Sequence, residues 1–320
     1  MSEPRKTRHH YVPRFYLEGF TVGDPAMLWV YDKETGGKRQ ASTRDAGIEK
    51  HYHSITRADG TRDSETIEAA FADFESDTAS GLRAIRAGAM LNNDDRGLVA
   101  SFMAVQLARV PLARRNTETI LRATAEMIGR PMIESQLVGP ADQQWETTKR
   151  MLQWFKDRGL PPLSAEDVIV KIKPEATLAG LLQAGKLAQL FYEMSWAIVP
   201  ANGRYSFVTS DNPVVYGPAS PGPPVGLASP SAVVVFPLSS TLCLFANWQP
   251  GRGQWNVPRR KVSEARVVAL NKRIVAGAQR FVYSDQDSDG LSRLVERHRG
   301  SAPRVVFDGP NTGGAAPVSF

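Results

Sequence analysis

Histidine, arginine and carboxylate side chains are the parts of this sequence that could do chemistry, and they are unevenly placed. Four of the five histidines fall within the first 53 residues: His9, His10, His51 and His53. An imidazole can ligate a metal or act as a general base near neutral pH. His9 and His10 are adjacent, so in an extended chain they point opposite ways. One of them, taken here as His10, is then expected to face a site. His51 and His53, two residues apart, would share one face of a strand. The bland alternative is a surface doublet or hydrogen-bonded packing near a terminus.

Arg109 makes a more physical argument. At about 100° per residue, Leu98, Phe102, Val105 and Arg109 fall on nearly one line of a helix. An arginine on an apolar stripe keeps its proton and needs a partner. It could clamp a phosphate or carboxylate, join a buried ion pair, or snorkel beside Pro111. Glu68 and Glu75 lie two turns apart on the rim of an earlier helix, about 10 Å along its axis. They are too far apart to share a proton, but either could ligate a metal or pair with Arg109. Asp211, in Thr209-Ser210-Asp211-Asn212-Pro213, ends a strand. A catalytic carboxylate and a turn cap are equally open there.

The elements that must position these residues follow from periodicity. Met27–Tyr31 and His51–Ile55 read as strands. Ile67, Phe71, Phe74, Thr78, Leu82 and Ile85 predict an amphipathic helix ending near Gly88. A second helix starts at Asn93-Asp94-Asp95 and ends or kinks at Pro111, or resumes into Glu118–Met127. Further helices are expected from Asp142 to Lys156, after Ser164, and from Ala176 to about Met194. Trp196–Val199, Tyr205–Thr209, a hairpin of Ala232–Phe236 with Leu242–Asn247, and Arg280–Tyr283 read as strands. A helix at Val262–Ala276 interrupts them, and a short one follows near Leu291. The expectation is one α+β domain over residues 1–308: an extended part (1–62), a helical part (63–195) and a mostly β part (196–308). The N-terminal strands are expected to join the C-terminal antiparallel-type sheet, and 309–320 to be a disordered tail.

Composition narrows the setting. A 42% hydrophobic and 22% charged chain of 320 residues is ordinary for a globular protein. The lone cysteine, Cys243, excludes an internal disulfide, and its apolar neighbours suggest a buried hydrophobe. Met1–Lys6 lacks the apolar run of a signal peptide, and a cytoplasmic location is the default expectation. Residues 212–251 carry no charge, but Pro and Gly break them up, so no membrane span is expected. The net charge of +6 is concentrated late: Gly251–Arg304 holds twelve basic residues against five acids. Such a surplus would attract nucleic acid or another phosphate-rich partner, or else be a solvated face. No phosphate loop, paired Cys-x-x-Cys, His-Glu-x-x-His or Gly-x-Ser-x-Gly motif occurs.

Taken in order, the run His9-His10-Tyr11-Val12-Pro13-Arg14-Phe15-Tyr16-Leu17-Glu18-Gly19-Phe20 resembles the opening of the bacterial domain of unknown function 4238 family. Leu28–Asp32, Glu68 with Glu75, Gln106-x-x-Arg109-x-Pro111, Ser210–Val214 and Leu270-Asn271 before Arg280–Ser284 are similar to its later features. The resemblance spans about His9 to Ser284 and implies no mechanism, but it directs attention to His10, Glu75, Arg109 and Asp211. The His-His-x-x-Pro run is also similar to the start of His-Asn-His nucleases, although no Asn and second His follow at short spacing.

Two functions are carried forward. The first is a metal-dependent phosphodiesterase or nuclease: His10, assisted by His9, is ligand or base. His10, Glu75 and Asp211 hold a divalent metal ion, Arg109 clamps the phosphate, and the catalytic set is His9, His10, Arg109 and Asp211. The second is a non-catalytic binding or regulatory module, for example in a defence system. There the same residues form a structural network. Convergence of His10, Glu75, Arg109 and Asp211 on an open cleft would favour the first; sealed pairs would favour the second.

Overall fold

The protein is described by a computed structural model. It describes residues 8–301 and 303, except 58, 90, 138–149, 151–152, 155, 160–169, 202, 250–256 and 302. The helix expected after Ser164, most of that at Asp142–Lys156 and the tail at 309–320 lie outside these residues.

The uncharged run of β-branched residues around Val234 forms the centre of the fold. Strand β10 (Ala232–Ser239) pairs antiparallel with β11 (Leu242–Asn247) on one side and β9 (Val215–Pro218) on the other. Strand β7 (Ser195–Pro200) adds beyond β11, giving the order β7-β11-β10-β9. The register shifts between Pro237 and Ser239, as expected where a proline cannot donate to the ladder. Both faces of β10 are covered. Val234 and Phe236 join one core with Tyr16, Phe20, Leu82 and Phe102, while Val235 joins a second with Val267, Ile274 and Val282. Cys243 is buried in that second core, and burial raises its thiol pKa far above the ordinary range.

The N-terminal strands do join the C-terminal part. A second antiparallel sheet runs β3-β2-β12-β8, where β2 is Met27–Asp32, β3 Lys38–Ser42, β8 Thr209–Ser210 and β12 Phe281–Ser284. Two short hairpins complete the strands: β1 (Arg8–His10) with β4 (Ile48–Lys50), and β5 (Ile55–Thr56) with β6 (Arg62–Asp63). The chain is α+β.

Helix boundaries follow local chemistry. After the short α1 (Arg14–Leu17), α2 (Thr66–Ala87) ends at Gly88, whose φ of 83° is the left-handed conformation that glycine adopts without strain. Asn92 caps α3 (Asn93–Arg109) by accepting from the Asp95 N–H. Val110 before Pro111 is extended, and Pro111 opens α4 (Pro111–Leu137), so the helix both breaks and resumes there. The helix expected at Ala176–Met194 divides into a 3-10 segment, Pro174–Gln183, and α5 (Ala184–Glu193). The last two helices are α6 (Glu264–Gly277) and α7 (Asp289–Arg297). Among the described residues no helix is long and apolar enough to cross a membrane.

The opening signature is a packing motif. Val12, Tyr16, Leu17 and Phe20 are fully buried, each such apolar side chain contributing roughly 1.5–3 kcal/mol. Tyr16 stacks on Phe236, and its hydroxyl donates to the Pro237 carbonyl at 2.7 Å while lying 2.7 Å from Thr209 Oγ1. Gly47 is required where it stands: an added Cβ would sit 3.0 Å from Val12, and its carbonyl accepts the Tyr11 N–H.

Asp211 is equally structural. Its carboxylate accepts from the backbone N–H groups of Gln279, Arg280 and Phe281 at 2.7–2.8 Å, and Asn212 Nδ2 donates to the Gly277 carbonyl. Together they stitch the end of α6 to β12. Burial raises the Asp211 carboxyl pKa although the three N–H groups oppose that. Replacing Asp211 by Ala leaves three part-buried donors without their acceptor, so urea denaturation should show a loss of about 3 kcal/mol, and Asp211→Asn a smaller loss.

Candidate functional site

The pairing of β1 with β4 turns the two adjacent histidines to opposite sides, as extended backbone must. His9 is fully buried. His10 is half-buried on the other side, with Nε2 3.2 Å from the Thr43 carbonyl, and burial lowers its pKa. His9 rather than His10 therefore enters the polar cluster. The reading of His51–Ile55 as a strand is corrected. His51 has φ 57°, and residues 51–53 form a turn, so His51 and His53 do not share a strand face.

That turn carries the His53 backbone N–H to His9 Nδ1 at 2.8 Å. The two imidazoles stack at 5.6 Å with 11° between planes, and His53 Nδ1 contacts Glu68 Oε1 from the first turns of α2. Burial depresses His53 to a pKa of about 4, with Glu68 opposing the effect. A neutral His53 then donates Nδ1–H to the Glu68 carboxylate. Its Nε2 is left buried and without a hydrogen-bond partner among the described residues. Burial acts to raise the Glu68 pKa, but the His53 hydrogen bond and the neighbouring charges leave it below the ordinary value.

Two turns further along α2, Glu75 accepts from Arg109 Nη2 at 2.9 Å. Arg109 Nε donates to the Tyr11 carbonyl at 3.0 Å, and the Gln106 amide oxygen, turned toward the guanidinium, accepts from both Nε and Nη2. The guanidinium lies 4.8 Å from the Phe71 ring, whose own centroid is 4.7 Å from that of His53. Arg109 is only 3% exposed, and burial keeps the Glu75 pKa raised even beside it. The expected single stripe on α3 is too narrow: Arg96, Val99, Met103, Ala104 and Gln106 are buried as well as Phe102 and Arg109.

The four expected residues thus do not share one centre. Glu75 and Arg109 pair with each other, His10 faces Thr43, and Asp211 is saturated at the α6–β12 junction. Among the described residues, the group of His, Cys, Asp or Glu placed to hold a metal is His9, His53 and Glu68. His10, Glu75 and Asp211 do not form such a group. His53 and Glu68 were visible in the sequence as residues but not as partners, because the turn that joins them has no strand-like period.

An open cleft of about 1040 Å³ lies beside this network, with His51, Tyr52 and Ser54 in its wall. Arg57, Arg62, Arg114, Arg115 and Lys173 line it, against Glu49, Glu118 and Glu175. Arg114 is fixed: Nη1 donates to the Tyr52 carbonyl, Nε to Thr177 Oγ1, and its guanidinium lies over the Tyr52 ring. Arg57 pairs with Asp63, Glu118 with Arg122, and Glu175 accepts from the Thr56 N–H. Among the described residues, no carboxylate forms an ion pair with Arg62, Arg115 or Lys173. This cleft was missed in the sequence, where its cations are scattered over more than a hundred residues. The late basic run is partly spent on structure instead: Arg280 pairs with Asp32 and Glu34, Arg299 with Glu296, and Arg273 caps Pro218. Arg252 and Arg304 lie outside the described residues.

The buried His53 makes stability depend on pH. Its folded pKa, about 4, lies below its ordinary 6.5, so unfolded chains take up a proton that the folded protein refuses. The stability is present above pH 6.5 and is lost as pH falls toward about 4, by roughly 3 kcal/mol. Urea denaturation across that window should show a shallower pH slope for His53→Gln than for wild type; equal slopes would contradict the assignment.

The sequence profile of the family described as "Protein of unknown function (DUF4238)" matches residues 8–288. No curated protein and no solved structure matches the chain. The match begins at the β1 histidines, stops just before α7, and takes in the buried network, the cleft wall and the Asp211 junction. On that coverage the chain belongs to the DUF4238 family.

Proposed function

We propose that this protein is a non-catalytic binding module: the histidine, glutamate and arginine set is a structural clasp, and the basic cleft beside it takes a phosphate-bearing ligand. One contrast carries the reading. Arg109 and Asp211, the ionic groups best suited to chemistry, are buried and engaged by protein partners, with Arg109 Nη1 sealed from solvent and unpaired among the described residues. The open cleft instead presents cations, three of them without a carboxylate partner among the described residues. A charge buried from solvent and held in an internal pair is not presented to a substrate. Exposed guanidinium and ammonium groups around a cavity attract anions and bind phosphate by charge-assisted hydrogen bonds. Arg114 adds a rigid floor, because Tyr52 and Thr177 hold its orientation.

A metal-dependent phosphodiesterase is the second reading, and the Glu68–His53 pair favours it. A carboxylate that orients a neutral imidazole leaves Nε2 as a base. Against it, His53 is 1% exposed and sits behind Tyr52 and Ser54, which line the cleft.

Fluorescence anisotropy with a labelled single-stranded oligonucleotide, alongside calorimetry with pyrophosphate, tests the proposal. Wild type should bind at least one of the two, more weakly as salt rises, without cleaving the oligonucleotide in Mg²⁺ or Mn²⁺. An Arg62→Ala/Lys173→Ala double variant should bind at least tenfold more weakly at unchanged melting temperature. Wild-type affinity in that variant would reject the cleft. Divalent-dependent cleavage that disappears in a folded His53→Gln variant would establish the second reading.

A further inference from the structure

We infer that His9, His53 and Glu68 form a binding site for a divalent transition metal, with Zn²⁺ the best-matched ion. The inference goes beyond the anion-binding reading and is independent of it. Two imidazoles and one carboxylate are a donor set that Zn²⁺ and its neighbours favour, and one that Mg²⁺ and Ca²⁺ do not. One donor atom from each residue lies within 4.8 Å of the other two. His9 Nδ1 is 3.9 Å from Glu68 Oε1, and His53 Nδ1 contacts that same oxygen. Donors around a tetrahedral zinc lie roughly 3.3 Å apart, so seating the ion draws His9 inward and opens the hydrogen-bonded His53–Glu68 contact.

Binding has a definite local cost. A cation at His53 Nδ1 displaces the Glu68 hydrogen bond and moves the imidazole proton to Nε2, which is buried with no hydrogen-bond partner among the described residues. A cation at His9 Nδ1 displaces the His53 backbone N–H, so the metal–ligand bonds must outweigh both losses. The surroundings suit a bound ion. Phe71 and Tyr52 pack on the His53 ring and keep water from one side, while Glu68, 22% exposed at its side chain, leaves an entry path. The nearest fixed cation, Arg109, is offset by Glu75, so the Glu68 carboxylate is not cancelled by a bare positive charge. The three ligands come from β1, the 51–53 turn and α2, so a bound ion would tie the N-terminal segment to the helices.

The test uses the full-length chain, treated with chelator, dialysed and kept free of any phosphate ligand. Zn²⁺ and Co²⁺ are titrated by calorimetry, by visible absorption for Co²⁺, and by melting temperature. One equivalent should bind, Co²⁺ should develop the intense visible bands of a four-coordinate nitrogen and oxygen site, and the melting temperature should rise. Glu68→Gln, at the partly exposed corner, should weaken binding at least tenfold with an unchanged circular dichroism spectrum. The exposed-carboxylate control Glu296→Gln should bind as wild type. His9→Gln should also weaken binding, but the inference does not depend on that buried variant folding. Absence of stoichiometric binding by wild type at micromolar metal, or wild-type affinity in Glu68→Gln, would overturn the site. Either result leaves the oligonucleotide and pyrophosphate measurements untouched, so the two readings can fail separately.

Discussion

The buried positive charge of Arg109 is the constraint around which the N-terminal half is organised. A guanidinium cannot escape burial by losing its proton, so the fold must bring it partners from several elements. It receives the Tyr11 carbonyl from the segment after β1, the Glu75 carboxylate from α2, the Gln106 amide from its own helix and the Phe71 ring. None of these can be withdrawn cheaply, because Nη1 is already buried without a hydrogen-bond partner among the described residues and each removal would add to that cost. The result is an ordered N-terminal segment lying against α2 and α3, with Tyr11 and Val12 buried where a free chain end would fray.

The same device recurs along the helices. Arg86 of α2 donates to the carbonyls of Phe15, Tyr16 and Leu238, which ties α1 to β10. Arg96 of α3 donates to Tyr192 and Met194 at the end of α5 and lies over the Trp196 ring at 4.0 Å. Carbonyls at a helix C-terminus carry the negative end of its dipole, so a buried cation is well placed there. Arg114 of α4 donates to the Tyr52 carbonyl in the 51–53 turn, which belongs to no helix. Four arginines thus act as connectors between helices and irregular backbone. Part of the chain's positive charge is consumed in satisfying buried carbonyls.

Much of this architecture was legible in the sequence, wherever one local rule decides the outcome. The glycine after α2, the Asn93-Asp94-Asp95 start of α3, the proline at α4 and the uncharged β10–β11 hairpin each announce themselves. The joining of β2 to β12, far apart in the chain, followed from counting strands on either side of the helical part. What stayed hidden depends on phase and partner choice. Alternation says that His9 and His10 diverge, but only the pairing of β1 with β4 decides which goes inward. The left-handed His51 cannot be inferred from a stretch whose composition suits a strand, and it converts two apparent face-sharing histidines into a turn. Arg109 announced that it needed partners without saying that they would be Glu75 and a main-chain carbonyl. Asp211 was balanced between catalyst and a cap of its own turn, and its carboxylate instead accepts three N–H groups from residues about seventy positions away.

The spacing on α2 explains how two opposite electrostatic problems are solved side by side. Glu68, Phe71 and Glu75 follow one another at three and four residues, the interval that places side chains on one helix face. Glu68 serves a histidine that burial keeps neutral; Glu75 serves an arginine that burial cannot neutralise. Phe71 stands between them, with the His53 ring and the Arg109 guanidinium both packed against it. The separation of two turns, too long for the carboxylates to share a proton, lets each keep its own partner. Were the two carboxylates one turn apart, both would be drawn to Arg109, and His53 would lose the acceptor that fixes its tautomer. The aromatic spacer thus allows a permanently charged guanidinium and a neutral imidazole to be buried side by side against one helix face, each with its own carboxylate.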